Sequence, residues 1–224
     1  MQRQNLQRQT LSVCVQNDYY MIKNLIFDFG KVLVDYDFLH SIRRYFNTEE
    51  DVREFSDLFT CPEFLDRCDL EMEPFEEIIR DAQRQYPKFE FQLQKFYEEY
   101  PLFVTGEIPG MRDLLDKLRS EGFRLYGLTN WCSMVHKVMK HWDILTMLDD
   151  RIISSEEKLI KPDRAIYLRL CEKFQLRPEE CLFTDDKQIN VEGAISIGMK
   201  GIVFRNAEQF EQELRNILSQ CNNG

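Results

Sequence analysis

No stretch of this 224-residue chain approaches the roughly 20 consecutive apolar residues that crossing a bilayer requires. Residues Met1 to Tyr20 are rich in Gln, Asn and Arg and hold no apolar core of a secretory signal. Positive charge is in the minority. With 29 Lys and Arg against 39 Asp and Glu, the net −10 argues against a nucleic-acid partner or an anionic membrane partner. Paired cysteines are also missing: Cys14, Cys61, Cys68, Cys132, Cys171, Cys181 and Cys221 are scattered with no CxxC. An odd number of unpaired thiols points to a reducing compartment, so a cytoplasmic location is expected. No internal repeat occurs.

What is present is an ordinary globular composition, 43% hydrophobic and 30% charged, long enough for one sizeable core or a core with a smaller domain. The organising stretch is Lys23-Asn24-Leu25-Ile26-Phe27-Asp28-Phe29-Gly30, continuing Lys31-Val32-Leu33-Val34-Asp35. Leu25, Ile26 and Phe27 form the apolar run of a strand covered on both faces. The run stops at Asp28, and Gly30 is expected to release the backbone into a tight turn. An Asp at the carboxyl end of a buried parallel strand faces the crevice where open α/β sheets bind ligands.

The chain divides into three parts. Residues 1–20 read as a disordered polar extension, with Met21 a candidate start codon. Residues 38–104 carry helical periodicity, many Phe and many acids, and read as about four short helices inserted as a cap domain. Thr48-Glu49-Glu50-Asp51 resembles a helix-start box, and Pro74 suits a first helical turn. Residues 21–37 and 105–224 make the core domain. There, strands at Phe123–Leu128, Arg151–Ile153, Cys181–Phe183 and Gly201–Phe204 alternate with helices at Met111–Ser120, Ser133–His141, after Asp163, and at Ile189–Ile197. Alternation of this kind predicts an α/β fold, a Rossmann-like doubly wound parallel sheet with a small helical cap.

Each proposed strand end, or the connection after it, delivers polar chemistry: Asp28, Thr129 with Asn130, Lys161, and the pair Asp185-Asp186. In a parallel sheet those ends share one edge and should meet. Three carboxylates brought together repel unless a cation sits among them. Oxygen-only ligation suits Mg²⁺, which takes one or two carboxylates, waters and a phosphate oxygen, and Lys161 adds a point charge for phosphate. His40, His136 and His141 show no ligand spacing. Cys171 and Cys181 read as core filler, and no His is spaced to activate Cys132.

The order Asp, Thr, Lys, acidic pair resembles the haloacid dehalogenase superfamily. Asp28-Phe29-Gly30 with Val34-Asp35-Tyr36-Asp37-Phe38 and Phe183-Thr184-Asp185-Asp186-Lys187-Gln188-Ile189-Asn190 is similar to bacterial sugar-phosphate phosphatases, nearest to those acting on α-glucose-1-phosphate. The resemblance implies a Mg²⁺-dependent phosphatase of small phosphorylated metabolites, as a monomer or dimer. It implies Asp28 as nucleophile; Asp28, the Gly30 carbonyl and Asp186 as metal ligands; and Asp185 acting through water or as an orienting group. It further implies Thr129 and Asn130 on the phosphoryl oxygens, Lys161 as charge neutraliser, and Asn190 bracing the loop after the acidic pair.

The family pattern breaks at Gly30, where most such phosphatases carry a second Asp as acid and base. A replacement acid from the cap, with Asp35, Asp37 and His40 as candidates, is one answer, and a substrate with a good leaving group is another. A slow or non-catalytic phospho-ligand binder, a metal-free dehalogenase or a phosphoryl-transfer enzyme are the other readings. On the sequence alone, Gly30→Asp is expected to raise activity on alkyl phosphates.

Overall fold

The computed structural model describes residues 21–59 and 61–222. The proposed extension at 1–20 lies outside these residues. Five strands, β1 (Asn24–Phe27), β4 (Arg124–Thr129), β5 (Asp150–Ile153), β6 (Cys181–Asp185) and β7 (Lys200–Val203), form one parallel sheet in the order β5-β4-β1-β6-β7. β1 is central and all four of its residues are buried. Its side chains alternate between two apolar layers. Leu25 and Phe27 pack with α5 (Met111–Ser120) and α10 (Ala207–Asn222), while Ile26 packs with α8 (Arg164–Phe174) and α9 (Gln188–Ile195). A strand buried on both faces must be apolar throughout, which is why β1 reads as a continuous run.

A second, two-stranded antiparallel sheet pairs β2 (Val34–Tyr36) with β3 (Val104–Glu107), with a register shift between Asp35 and Tyr36. Strands this short carry too few alternations to be read from sequence. They lead the chain out to α1 (Glu49–Leu58), α2 (Pro62–Leu70), α3 (Phe75–Gln85) and α4 (Glu90–Glu98) and back again. Thr48 caps α1 by accepting from the Asp51 N–H at 3.1 Å. Pro74 lies one residue ahead of the first helical turn, as the residue flanking α3. In the parallel-sheet part, the two short helices α6 (Val135–Met139) and α7 (Ser154–Glu157) complete the set. None of the described helices is long and apolar enough to cross a membrane.

The four helices have no apolar core separate from the sheet. Phe55, Phe59, Phe96, Tyr100 and Phe103 belong to the same buried cluster as Leu25, Phe29, Trp131 and Leu182. Phe103 meets the Trp131 ring at 5.9 Å, Trp131 meets Phe29 at 6.5 Å, and the Tyr100 hydroxyl accepts from the Trp131 indole N–H at 3.0 Å. Because one continuous core joins both parts, they should melt together. Phe55→Ala, deep among Phe46, Phe59 and Phe89, should lower stability by about 3–5 kcal/mol. It should do so within a single denaturation transition followed alike by near- and far-ultraviolet circular dichroism. Two separate transitions would overturn the coupling.

Candidate active site

Asp28 follows β1, Thr129 closes β4, and Asp185 closes β6 with Asp186 next in the chain. Lys161 stands in the loop between α7 and α8. Since β4, β1 and β6 are neighbours, these ends meet where the connections diverge on either side of β1. Asp28, Gly30, Thr129, Asn130, Lys161, Asp186 and Asn190 line one cavity of about 200 Å³, with Asp185 fully buried behind them.

Lys161 is the hub. Only 4% exposed, its ammonium donates to Asp185 Oδ2 at 2.6 Å, Asp28 Oδ1 at 2.9 Å and the Leu128 carbonyl at 3.0 Å. Burial pulls the ammonium's pKa down, but the Asp185 and Asp28 charges outweigh it and hold the group above its ordinary value. Burial pushes the Asp185 carboxyl up, yet Lys161, the Lys187 N–H at 2.9 Å and the Asn190 amide at 3.0 Å outweigh it and leave this carboxyl below its usual range. Asp28 fares otherwise. Burial drives it up to about 6, because the Lys161 charge is shared with Asp185, whose own charge repels it. Asp186 is likewise raised, by burial and then by Asp185.

One ammonium therefore faces three carboxylates whose ligand oxygens lie within 4.8 Å of one another. Burial first, and the surplus negative charge after it, raise Asp28 and Asp186. An all-oxygen set with two carboxylates open to the cavity fits a hard divalent cation such as Mg²⁺. Asp185, with both oxygens already hydrogen-bonded, is suited to hold the lysine rather than to bind a cation directly.

The Asn130 side chain is committed to the Lys161 backbone. Its side-chain amide donates to the Lys161 carbonyl at 3.0 Å and its oxygen accepts from the Lys161 N–H at 2.8 Å, so it fixes the lysine's backbone. Asn190 binds both Asp185 oxygens and accepts the Tyr167 hydroxyl on its carbonyl at 2.7 Å.

Gly30 is not the left-handed residue of its turn; Lys31 is, at φ 60°. Glycine is required at 30 for space, since a Cβ there would come within 2.8 Å of the Tyr36 ring. An aspartate at this position would have to displace that ring, a cost that opposes the gain expected of Gly30→Asp. Asp35, Asp37 and His40, the sequence's candidates for a replacement acid, do not line the cavity. A hydrogen bond from Lys31 holds the Asp35 carboxyl below its usual range, Asp37 accepts from the Leu39 N–H, and His40 borders a surface groove. The Cys132 thiol is buried, sits 3.1 Å from the Tyr100 hydroxyl and is pushed well up by burial, which removes it as a nucleophile. Tyr36, Asp69 and Lys187 line the cavity, although sequence reasoning gave them no role. Their relation to the site is tertiary, and no spacing signals it.

Five parallel strands with helices on both faces, and a lysine-and-carboxylate cluster at their carboxyl ends, define a Rossmann-like α/β fold with one polar crevice. A family model of haloacid dehalogenase-like hydrolases matches residues 25–204, and the chain belongs to that family. It is 30% identical over 113 residues to flavin mononucleotide hydrolase 1 of Arabidopsis thaliana, a match covering 49% of this chain and 45% of that protein. The chain thus spans about half the length of that relative. It is 27% identical to the glyceraldehyde 3-phosphate phosphatase of Pyrococcus furiosus, over 86% of this chain and 85% of the other. Among solved structures, a family enzyme of Bacteroides thetaiotaomicron in complex with magnesium and inorganic phosphate superposes with a TM-score of 0.70 at 21% identity, over 86% of this chain and 98% of that one.

Two predictions come from the charge balance. Lys161→Ala strands buried carboxylates and should cost about 3–5 kcal/mol of stability near neutral pH, a loss that shrinks on acidification and is read by urea titration. A carboxyl raised to about 6 favours folding below its unfolded value and loses that contribution as pH rises through about 6, so ionised Asp28 strains the fold at neutrality. Saturating Mg²⁺ should therefore raise the melting temperature more at about pH 7.5 than at about pH 5. Equal shifts at both values would contradict this charge balance.

Proposed function

We propose that this hydrolase is a Mg²⁺-dependent phosphatase of small phosphorylated metabolites, sugar phosphates foremost, with Asp28 as the nucleophile. The observation that carries the reading is the buried triangle of Asp28, Lys161 and Asp185 with Asp186 beside it. Asp28 Oδ1 is held by the Phe29 N–H at 2.7 Å and by Lys161, which fixes the carboxylate's orientation. Its other oxygen has no partner among the described residues and attacks phosphorus. The resulting aspartyl-phosphate is then hydrolysed, so that one hard step becomes two easier ones.

Lys161 and the Thr129 hydroxyl take the phosphoryl oxygens. Because the Asn130 side chain is spent on Lys161, the Asn130 contribution comes from its main-chain N–H. Asp28, Asp186 and the Gly30 carbonyl would hold the Mg²⁺, which would neutralise phosphoryl charge. The names of the relatives, a flavin mononucleotide hydrolase and a glyceraldehyde 3-phosphate phosphatase, support hydrolysis of a small phosphorylated metabolite. A cavity of about 200 Å³, below the roughly 300–1,000 Å³ of drug-sized sites, favours a compact substrate. Helices α1–α4 act as its cap, and Phe59 and Trp131 give it an apolar wall for a sugar face.

The test is phosphate release from a panel of sugar phosphates, nucleotides and acyl phosphates with and without Mg²⁺. Asp28→Asn should lower turnover on every active substrate by at least about 10⁴-fold while leaving the circular dichroism spectrum unchanged. Retained turnover would show that another group attacks phosphorus.

A further inference from the structure

The loop after β1 offers no proton donor: Gly30 has no side chain and the Tyr36 ring fills its place. A carboxyl does reach the same cavity from the other side of the molecule. Asp69, in the last turn of α2, lines it together with Asp28, Thr129 and Lys161. Among the described residues its carboxylate has no hydrogen-bond or ion-pair partner, although the residue is partly enclosed. Its oxygens are therefore open to whatever the cavity holds.

The backbone on either side of Asp69 is tied to the catalytic part of the sheet. Ser154 Oγ donates to the Asp69 carbonyl at 2.6 Å while accepting from the Trp131 N–H at 2.9 Å. The Lys158 ammonium donates to the Glu71 carbonyl. The Glu71 carboxylate accepts from the Ser133 N–H at 2.5 Å and the Ser133 hydroxyl at 2.6 Å. Glu71 itself takes a left-handed conformation, φ 44°, that only such ties justify. The anchors lie just beyond Thr129 on one side and just ahead of Lys161 on the other, so Asp69 is positioned relative to both.

We propose that Asp69 is the general acid and base of this site, supplying from α2 the proton transfer that the Gly30 loop cannot. The proposal rests on the phosphatase reading. Asp69 gives its proton to the ester oxygen as that oxygen's bond to phosphorus breaks and the Asp28–phosphorus bond forms, so the alcohol leaves neutral. Its carboxylate then takes a proton from water as the water oxygen attacks phosphorus. The Asp28–phosphorus bond breaks, inorganic phosphate departs, and both carboxyls return to their starting states.

The surroundings suit that task. Burial pushes the Asp69 carboxyl up to about 7, countered by the Lys187 and Lys161 charges and reinforced by Asp66 on its own helix and by Asp28. The Tyr36 and Tyr100 hydroxyls and the Cys132 thiol also feel its charge, and each stays protonated because burial raises it. Tyr36 can therefore donate a hydrogen bond but cannot act as the base. An acid whose pKa lies near the working pH is the most effective, and is worth about 10²–10⁴ in rate.

The test compares Asp69→Asn with the unaltered enzyme on an alkyl phosphate and on 4-nitrophenyl phosphate, both with Mg²⁺. The kcat/KM should fall by about 10² or more on the alkyl ester and by less than about tenfold on the activated one, whose leaving group needs no proton. The alkaline limb of the kcat/KM profile, near pH 7 for the alkyl ester, should vanish. With 4-nitrophenyl phosphate a stoichiometric burst of nitrophenolate should precede slow turnover, because the second step has lost its base. Asp69→Ser serves as a second non-ionisable variant should the Asn form fold poorly, and Mg²⁺ affinity by calorimetry should match the unaltered protein in both. Equal losses on the two esters without a burst, or no loss, would overturn the role of Asp69. Failure of the unaltered enzyme to cleave either ester would instead overturn the phosphatase reading and the present proposal with it.

Discussion

A lysine ammonium buried at 4% exposure between two carboxylates is the constraint around which the rest is arranged. Removing such charges from water is expensive, and the arrangement persists only where geometry is good and every remaining polar valence is met. Here Asp28 is fixed by the Phe29 N–H, Asp185 by Asn190 and the Lys187 N–H, and Lys161 by the Leu128 carbonyl and, through its backbone, by Asn130. These partners come from β1, β4, β6 and the loop before α8, so the ion cluster fixes the relative positions of the sheet's carboxyl ends. Hydrophobic burial assembles the sheet, but the cluster defines its working edge. The same cluster is two positive charges short of its three carboxylates, and that shortfall is what a divalent cation would offset.

The helical block supplies the second requirement. Electrostatic stabilisation of a phosphoryl group gains strength where water is excluded and the local dielectric is low. Phe38, Phe59, Phe103 and Trp131 give the cavity an apolar wall, and the aromatic chain from Phe55 through Phe96 to Phe103 makes that wall continuous with the sheet's own core. The α2 terminus is tied down separately, by polar bonds to Ser133, Ser154 and Lys158. Apolar packing thus fixes where the block sits, and directional hydrogen bonds fix one particular turn of it over the reacting groups.

The strands of the parallel sheet were legible because burial on both faces forces uninterrupted apolar runs, as in Leu25-Ile26-Phe27 and Cys181-Leu182-Phe183. The meeting of Asp28, Thr129, Lys161 and Asp185-Asp186 was legible for a topological reason, since parallel strands bring their carboxyl ends to one edge whatever the intervening sequence. The rest depends on partners distant in the chain. β2 and β3 are held by each other across 68 residues or more, and neither is long enough to announce itself. The Asn130 side chain pairs with a backbone 31 residues away, a commitment that its position after Thr129 hides. Gly30 read as a turn glycine because a strand end invites that reading, whereas its actual reason is the Tyr36 ring. Asp69 sits on an amphipathic helix with neighbours of every charge, and only the packing of α2 separates it from Asp66 in role.

In the proposed mechanism a nucleophile and a general acid make opposite demands of a carboxyl group, and Asp28 and Asp69 sit in different electrical settings. Asp28 has a lysine in contact and the proposed cation site beside it, both of which would favour the ionised form that attack requires. Among the described residues Asp69 has neither an ammonium nor a backbone donor in contact, so burial outweighs the Lys187 and Lys161 charges and keeps its proton available near neutrality. A carboxyl on the Gly30 loop would instead join a cluster already short of positive charge. Carrying the acid on α2 has a mechanical consequence as well. Under that proposal proton transfer would depend on the hydrogen bonds that dock the helix, and the reaction would be complete only with the helical block seated and water excluded from Asp28.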